Sequence, residues 1–192
     1  MAKPSDVLKS LEKTANKQFV PSIGPIKGKI IARIIKRYNP KNILEVGTLY
    51  GYSAILMAQR LAEDGKVVTI ELDRLIASTA RKNIAKAGLS DKIDIVVGNA
   101  VELLPKLNMK FDLLFLDAAK NEYLTYLKLA EEKALEKGAI IVADNVEVSK
   151  NEMLDYLKYV RLSGLYKSET IDTRLEFTPN VRDAIEVSIK VT

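Results

Sequence analysis

The sequence predicts an α/β domain: a mostly parallel sheet with helices on both faces. Two observations carry this. Short apolar runs recur at 43–46, 67–71, 93–97, 112–116 and 139–143, and a stretch of helical periodicity follows each one. The runs themselves, such as Leu113-Leu114-Phe115-Leu116, are almost continuously apolar rather than alternating. That is the pattern of strands covered on two sides.

The elements follow in order. Residues 5–17 and 25–38 read as two helices before the first strand. Ser5 or Asp6 is the candidate cap of the first, with Val7, Leu8 and Leu11 on one face. Pro21 and Pro25 with Gly24 break the chain between them, and Ile30, Ile31, Ile34 and Ile35 give the second an apolar stripe ending before Asn39-Pro40. Later helices are expected at 52–63, 74–87, 100–106, 121–133 and 150–162, with Gly65, Gly88 and Gly138 at helix-to-strand connections. Two further strands are expected at 166–172 and 183–191, the second alternating by two from Ala184 to Ile189. No repeat, low-complexity segment or linker divides the 192 residues, so one domain is expected.

Composition removes whole classes of chemistry. The chain has no Cys and no His, which excludes disulfides, thiolate nucleophiles, imidazole bases and Cys- or His-bound metals. A metal must then sit among oxygens, pointing to Mg²⁺, Mn²⁺ or Ca²⁺. A general base must be a carboxylate, Tyr or Lys. The net charge of +5 comes from 30 basic and 25 acidic residues scattered along the chain, which reads as a mixed-charge surface, with an RNA-facing patch as the alternative. No apolar run approaches the roughly twenty residues of a membrane span, and Met1 to Asp6 lack an apolar signal core, so a cytoplasmic protein without membrane contact is expected.

Ligands of such sheets gather at the carboxyl ends of the strands. The first strand ends in Glu45-Val46-Gly47 and reaches Gly51 through Thr48, Leu49 and Tyr50, before Ser53 opens a helix. This Glu-x-Gly-x-x-x-Gly pattern differs from the Gly-x-Gly-x-x-Gly turn that takes a dinucleotide pyrophosphate. S-adenosylmethionine suits it better: its carboxylate takes free N–H groups, and its ammonium takes a carboxylate such as Glu45. Glu71, ending the second strand, is placed to accept the ribose hydroxyls, and Gly98-Asn99-Ala100 to line an adenine slot. Asp117 ends the fourth strand and Asp144-Asn145 the fifth, so three oxygen donors are expected to converge as a hard-metal site. Taken singly, each also has a plain structural reading: Asp117 as a helix cap, Asp144-Asn145 as a turn, Lys120 as a surface lysine.

Taken together, these residues resemble a class I S-adenosylmethionine-dependent methyltransferase, specifically the metal-dependent catechol and caffeoyl-CoA O-methyltransferase family. The resemblance runs from Gly24 to Val191 and rests on Leu44 to Ser53, Thr69-Ile70-Glu71, Val97 to Ala100, Phe115 to Lys120 and Ala143 to Val146. It implies a Rossmann-like, seven-stranded sheet with the last strand antiparallel. It implies Asp117, Asp144 and Asn145 as metal ligands, with Asp117 also beside the cofactor, and Lys120 as the catalytic lysine. It further implies Glu176 facing the substrate hydroxyl and Ile23 and Gly24 by the methyl donor. Residues 1–38 are expected to form a lid or substrate wall over a core of 42–192, with Phe19 as an aromatic wall. Ala118 and Ala119 stand where catechol enzymes carry a bulky, partly aromatic pair, and Ser149 near a position that is proline in the animal enzymes; both imply a roomier site.

The chemistry expected is transfer of a methyl group from S-adenosylmethionine to one hydroxyl of a catechol-like small molecule chelated on Mg²⁺. Lys120 takes the proton and Glu176 holds the second hydroxyl. The competing expectation keeps this chemistry on a hydroxylated uridine of tRNA, for which salt-sensitive RNA binding would be the sign. A non-catalytic module of the same fold and a nicotinamide dehydrogenase are the remaining alternatives. The resemblance is compatible with a monomer or a homodimer.

Overall fold

The computed structural model of the chain describes residues 2–18, 20–178 and 180–192. The chain runs α1 (Pro4–Gln18), α2 (Pro25–Tyr38), β1 (Asn42–Val46), α3 (Tyr52–Ala58), β2 (Lys66–Glu71), α4 (Arg74–Lys86) and β3 (Ile93–Val97). It continues through α5 (Ala100–Leu103), β4 (Phe111–Leu116), α6 (Tyr123–Lys133), β5 (Leu135–Ala143), α7 (Leu154–Leu162), β6 (Tyr166–Arg174) and β7 (Arg182–Lys190). The strands form one sheet in the order β3-β2-β1-β4-β5-β7-β6, with β7 antiparallel to both of its neighbours.

Alternation along each strand divides its side chains between two cores. In β1, Leu44 and Val46 join Leu127, Val160 and others from α6 and α7, while Ile43 joins residues of α1, α2, α3 and α4. Each such side chain, taken fully out of water, contributes about 1.5–3 kcal/mol before entropy is counted. The apolar strands are apolar throughout because both faces are covered. From β1 the order runs to β2 on one side and to β4 on the other. That reversal opens a crevice at the carboxyl ends of β1 and β4.

Three local features differ from the sequence reading. The helix expected to run to residue 63 stops at Ala58, because Arg60 and Leu61 donate to the carbonyls of Met57 and Ala58 and tighten the last turn. The chain must turn there to let Lys66 pair with Asn42. Gly138 lies inside β5 rather than before it. The pairing jumps from Phe111 with Leu135 to Leu113 with Ile140, and Gly138 takes the positive φ of 89° at this bulge. The first helix starts at Pro4, so Ser5 and Asp6 lie within its first turn rather than before it.

Candidate functional site

One cavity of about 720 Å³ opens at the carboxyl ends of β1 to β5. Of the residues singled out from the sequence, Ile23, Gly47, Tyr50, Ser53, Glu71, Gly98, Asn99, Ala100, Asp117, Lys120, Asp144, Asn145 and Glu176 line it. Glu45 and Gly51 do not, nor do Gly24 and Ser149. Phe19 lies outside the described residues.

The half of the cavity beside β1, β2 and β3 is built largely from main chain. Gly47 has φ 105°, and a Cβ there would come within 2.1 Å of the Asp117 carbonyl oxygen. The glycine is therefore required by the approach of the β4 end to the β1 end. The Glu71 carboxylate accepts from the Leu49 N–H at 2.8 Å and the Asp73 N–H at 3.0 Å, tying the loop after β1 to the end of β2. Asn99 caps α5 by accepting from the Val101 N–H. Glu45 sits beneath this floor at 0% exposure, and neither of its oxygens makes a hydrogen bond of ordinary geometry. Burial pushes its carboxyl up to about 8, against the pull of the nearby Ser53 and Thr69 hydroxyls.

The half beside β4 and β5 is built from charges. Asp117 and Asp144 directly follow the paired residues Leu116 and Ala143 of neighbouring parallel strands, and the Asp144 N–H donates to the Leu116 carbonyl at 3.1 Å. The two aspartates are thus side by side, about one strand spacing (~4.8 Å) apart in the backbone. Lys120 places its ammonium 2.9 Å from Asp117 Oδ1 and 2.8 Å from the Tyr123 hydroxyl. Tyr123 in turn donates to the Leu116 carbonyl at 2.8 Å, and burial with two aspartates nearby holds its phenol well above the usual range. Asp144 is raised to about 6 by burial and by Asp117, opposed by Lys27 and Lys120. Its Oδ1 is buried and makes no hydrogen bond of proper geometry. No three acidic side chains cluster as a metal cage among the described residues. The donor set is two carboxylates and the Asn145 amide, which suits a hard cation that keeps waters or substrate oxygens in its remaining positions.

Glu176 reaches the same cavity from the β6–β7 connection. It is 8% exposed and accepts from the Lys27 N–H at 2.5 Å. Gly24, the residue before α2, offers no side chain to cap that helix, and Glu176 supplies the missing acceptor from far along the chain. A Cβ at Gly24 would come within 2.8 Å of Glu176 Oε2. Burial raises the Glu176 carboxyl, and the N–H groups of Lys27 and Gly24 pull it back. Beside it, Phe177 lines the cavity with φ 59°, an uncommon conformation for a bulky residue.

Sequence reasoning missed four contributors. Tyr123 steadies Lys120, and the three-residue spacing on one turn was the available signal. Tyr126 and Glu122, hydrogen-bonded to each other, line the wall beside Ala118 and Ala119. Lys27 is buried against Asp144 and Asp183. Its spacing of four from Ile31 places a charge on the apolar stripe of α2, which was the signal for it.

Comparison with known proteins gives a consistent picture. A family model described as "O-methyltransferase" matches residues 1–191. Catechol O-methyltransferase B of Danio rerio is 34% identical over 193 residues, covering 97% of this chain and 72% of the relative. A catechol O-methyltransferase of Niastella koreensis is 40% identical over 138 residues, covering 70% of this chain and 62% of the relative. Among solved structures, an O-methyltransferase of Bacillus cereus in complex with S-adenosylhomocysteine superposes with a TM-score of 0.84 at 25% identity, covering 96% of this chain and 90% of that one. An O-methyltransferase of Streptomyces achromogenes in complex with S-adenosylmethionine gives 0.85 at 25% identity, covering 97% and 90%. No helix among the described residues is long and apolar enough to cross a membrane.

Proposed function

The chain belongs to the O-methyltransferase family, and on that premise we propose that it methylates one hydroxyl of a catechol-like vicinal diol with the help of a divalent, oxygen-liganded ion such as Mg²⁺. The protein is an S-adenosylmethionine-dependent O-methyltransferase. The acceptor and the metal are the new part of the reading. The observation that carries it is the meeting of Asp117, Asp144 and Asn145 on one rim, with the Lys120 ammonium against Asp117.

Bound S-adenosylmethionine supplies an electrophilic methyl group on a sulfonium. Gly47, Tyr50 and Ser53 form the end of the cavity for its methionine portion, Glu71 the ribose position and Gly98 to Ala100 the adenine side. Glu45 lies buried beneath this end, near Ser53 and Thr69, rather than lining it. A divalent ion held by Asp117, Asp144 and Asn145 would supply Lewis acidity, lowering the pKa of a phenol from about 10. Lys120 accepts the proton of the hydroxyl to be methylated, for which it must first be neutral. Tyr123 and Asp117 hold its nitrogen at the rim while it does so. Glu176 receives the neighbouring hydroxyl, so the diol has one orientation. The remaining contribution is alignment, since an in-line displacement needs the oxygen, methyl carbon and sulfur in a row.

A cavity of this size matches a small acceptor beside the cofactor, and relatives named catechol O-methyltransferase support a vicinal diol. The test is a methylation screen of vicinal diols, caffeoyl-type phenols and hydroxylated and unmodified tRNA, each with Mg²⁺ and with excess chelator. Methylation of diols that chelator abolishes is the expected result. Activity indifferent to chelator rejects the metal, and methylation of tRNA alone replaces the acceptor.

A further inference from the structure

The first turn of α2 sends a lysine into the protein. Lys27 is 1% exposed, and its ammonium lies 2.8 Å and 2.9 Å from the two oxygens of Asp144 and 2.6 Å from Asp183 Oδ2. Taking such charges out of water costs several kcal/mol per ion, and apolar residues of similar volume often do as well for stability. A buried cluster of one cation between two carboxylates therefore asks for a purpose beyond holding α2 down.

Asp183 extends the cluster. Its Oδ2 accepts from Asn145 Nδ2 at 2.9 Å, and its Oδ1 accepts from the Val148 N–H at 3.2 Å. Both Asp183 oxygens thus act as acceptors, and the end of Asn145 that faces Asp183 is the NH₂. The amide oxygen is then the end left for the cavity, and Asn145 cannot flip without losing this bond. Lys27 fixes Asp144 in the same way: both oxygens lie within 3 Å of the ammonium, and Oδ1 still lacks a proper hydrogen bond. Through its main-chain N–H the same lysine also holds Glu176.

We propose that Lys27 and Asp183 are positioning residues, a charged pair behind Asp144 and Asn145 that sets the orientation in which these two meet a divalent ion. The inference rests on the metal reading above. Coulombic repulsion alone makes the opposite forecast for Lys27, because removing a cation beside a ligand should tighten a dication. Positioning requires that removing it loosens the dication, and the sign decides between them.

The experiment is a Mn²⁺ titration of the full-length protein, followed by the loss of the free-ion paramagnetic resonance signal, for the wild type, Lys27→Met and Asp183→Asn. S-adenosylhomocysteine affinity, measured by calorimetry on the same samples, reports on the other half of the cavity. Both variants are expected to bind Mn²⁺ about 10–100-fold more weakly, as partners behind metal ligands commonly do, with S-adenosylhomocysteine affinity within about twofold. Mn²⁺ binding by Lys27→Met that equals or exceeds the wild type overturns the proposal. A wild type that binds no Mn²⁺ removes the metal reading itself, a different failure. Should Lys27→Met not fold, Asp183→Asn decides alone, and undiminished Mn²⁺ affinity there overturns the proposal.

Discussion

The two halves of the cavity are built on opposite principles. On the side of β1, β2 and β3, neighbouring stretches of chain shape the surface with main-chain groups, and Glu71 ties the β1 loop to the β2 end. On the side of β4, β5 and β7, remote segments meet around charged side chains: the Lys27 ammonium reaches Asp144 across 117 residues, and its main-chain N–H donates to Glu176 across 149. The first kind of surface loses only local contacts when most of its side chains are changed, because the backbone carries the rest; Gly47 and Glu71 are the exceptions. The second depends on every member, since a buried charge that loses its partner is left uncompensated. Cofactor binding and acceptor activation should therefore separate cleanly under mutation.

Asp144→Ala tests this most sharply. It should lower turnover by at least about 10³-fold while S-adenosylhomocysteine affinity, read by calorimetry, changes less than about threefold. An equal loss of cofactor affinity would break the division between the halves. Lys120→Ala comes next. A positioned acid or base is commonly worth about 10²–10⁴-fold, so kcat should fall by that much with cofactor binding intact. A variant keeping full rate would take Lys120 out of the mechanism.

The cofactor side gives a smaller and complementary effect. Glu71→Ala removes a carboxylate that accepts two main-chain N–H groups, interactions worth about 1.5–3 kcal/mol when one partner is charged. S-adenosylhomocysteine should bind roughly 10–100-fold more weakly, with Mn²⁺ affinity unchanged. Unchanged cofactor affinity would show that Glu71 serves the loop alone.

The smallest effect concerns Glu45, the one buried carboxylate on that side. Its folded value of about 8 lies above the ordinary 4.5, so the folded state keeps a proton that the unfolded chain releases. The stability this gives is complete below about 4.5 and is lost as pH rises to about 8. Glu45→Gln has no proton to lose. Its melting temperature should match the wild type near pH 5 and exceed it by several degrees at pH 8, for cofactor-free protein. On the pKa difference the gap is on the order of 3 kcal/mol at neutral pH. Parallel melting curves across that range would refute the burial account.

The same division explains what could be read from the sequence. The five parallel strands were legible because each is a nearly continuous apolar run with a helix after it, β7 through its alternation by two, and the rim because the residues that line it sit at strand ends. Glu45, Gly47 and Glu71 announce themselves through local spacing. Lys27 shows locally only as a charge on the apolar stripe of α2, and Asp183 not at all, because their partners lie in segments that no local pattern connects. Glu176 was placed by resemblance, yet its bond to α2 emerges only when that helix is seen to start without a cap of its own. The Gly138 bulge was misread for a related reason: a glycine after a helix resembles a helix end unless the register of the partner strand is known.

The antiparallel insertion of β7 has a consequence for the order in which the protein matures. While the chain is still emerging from the ribosome, β5 presents a bare hydrogen-bonding edge, because its neighbour on that side is the last strand to be made. Such an edge is a template for pairing with the wrong chain. The same late strand begins with the residues that bring Asp183 to Lys27, so a nascent chain holding every other segment would still carry a lysine and an aspartate without their third partner. The strand that closes the sheet against association is thus also the one that completes the charge cluster around Lys27.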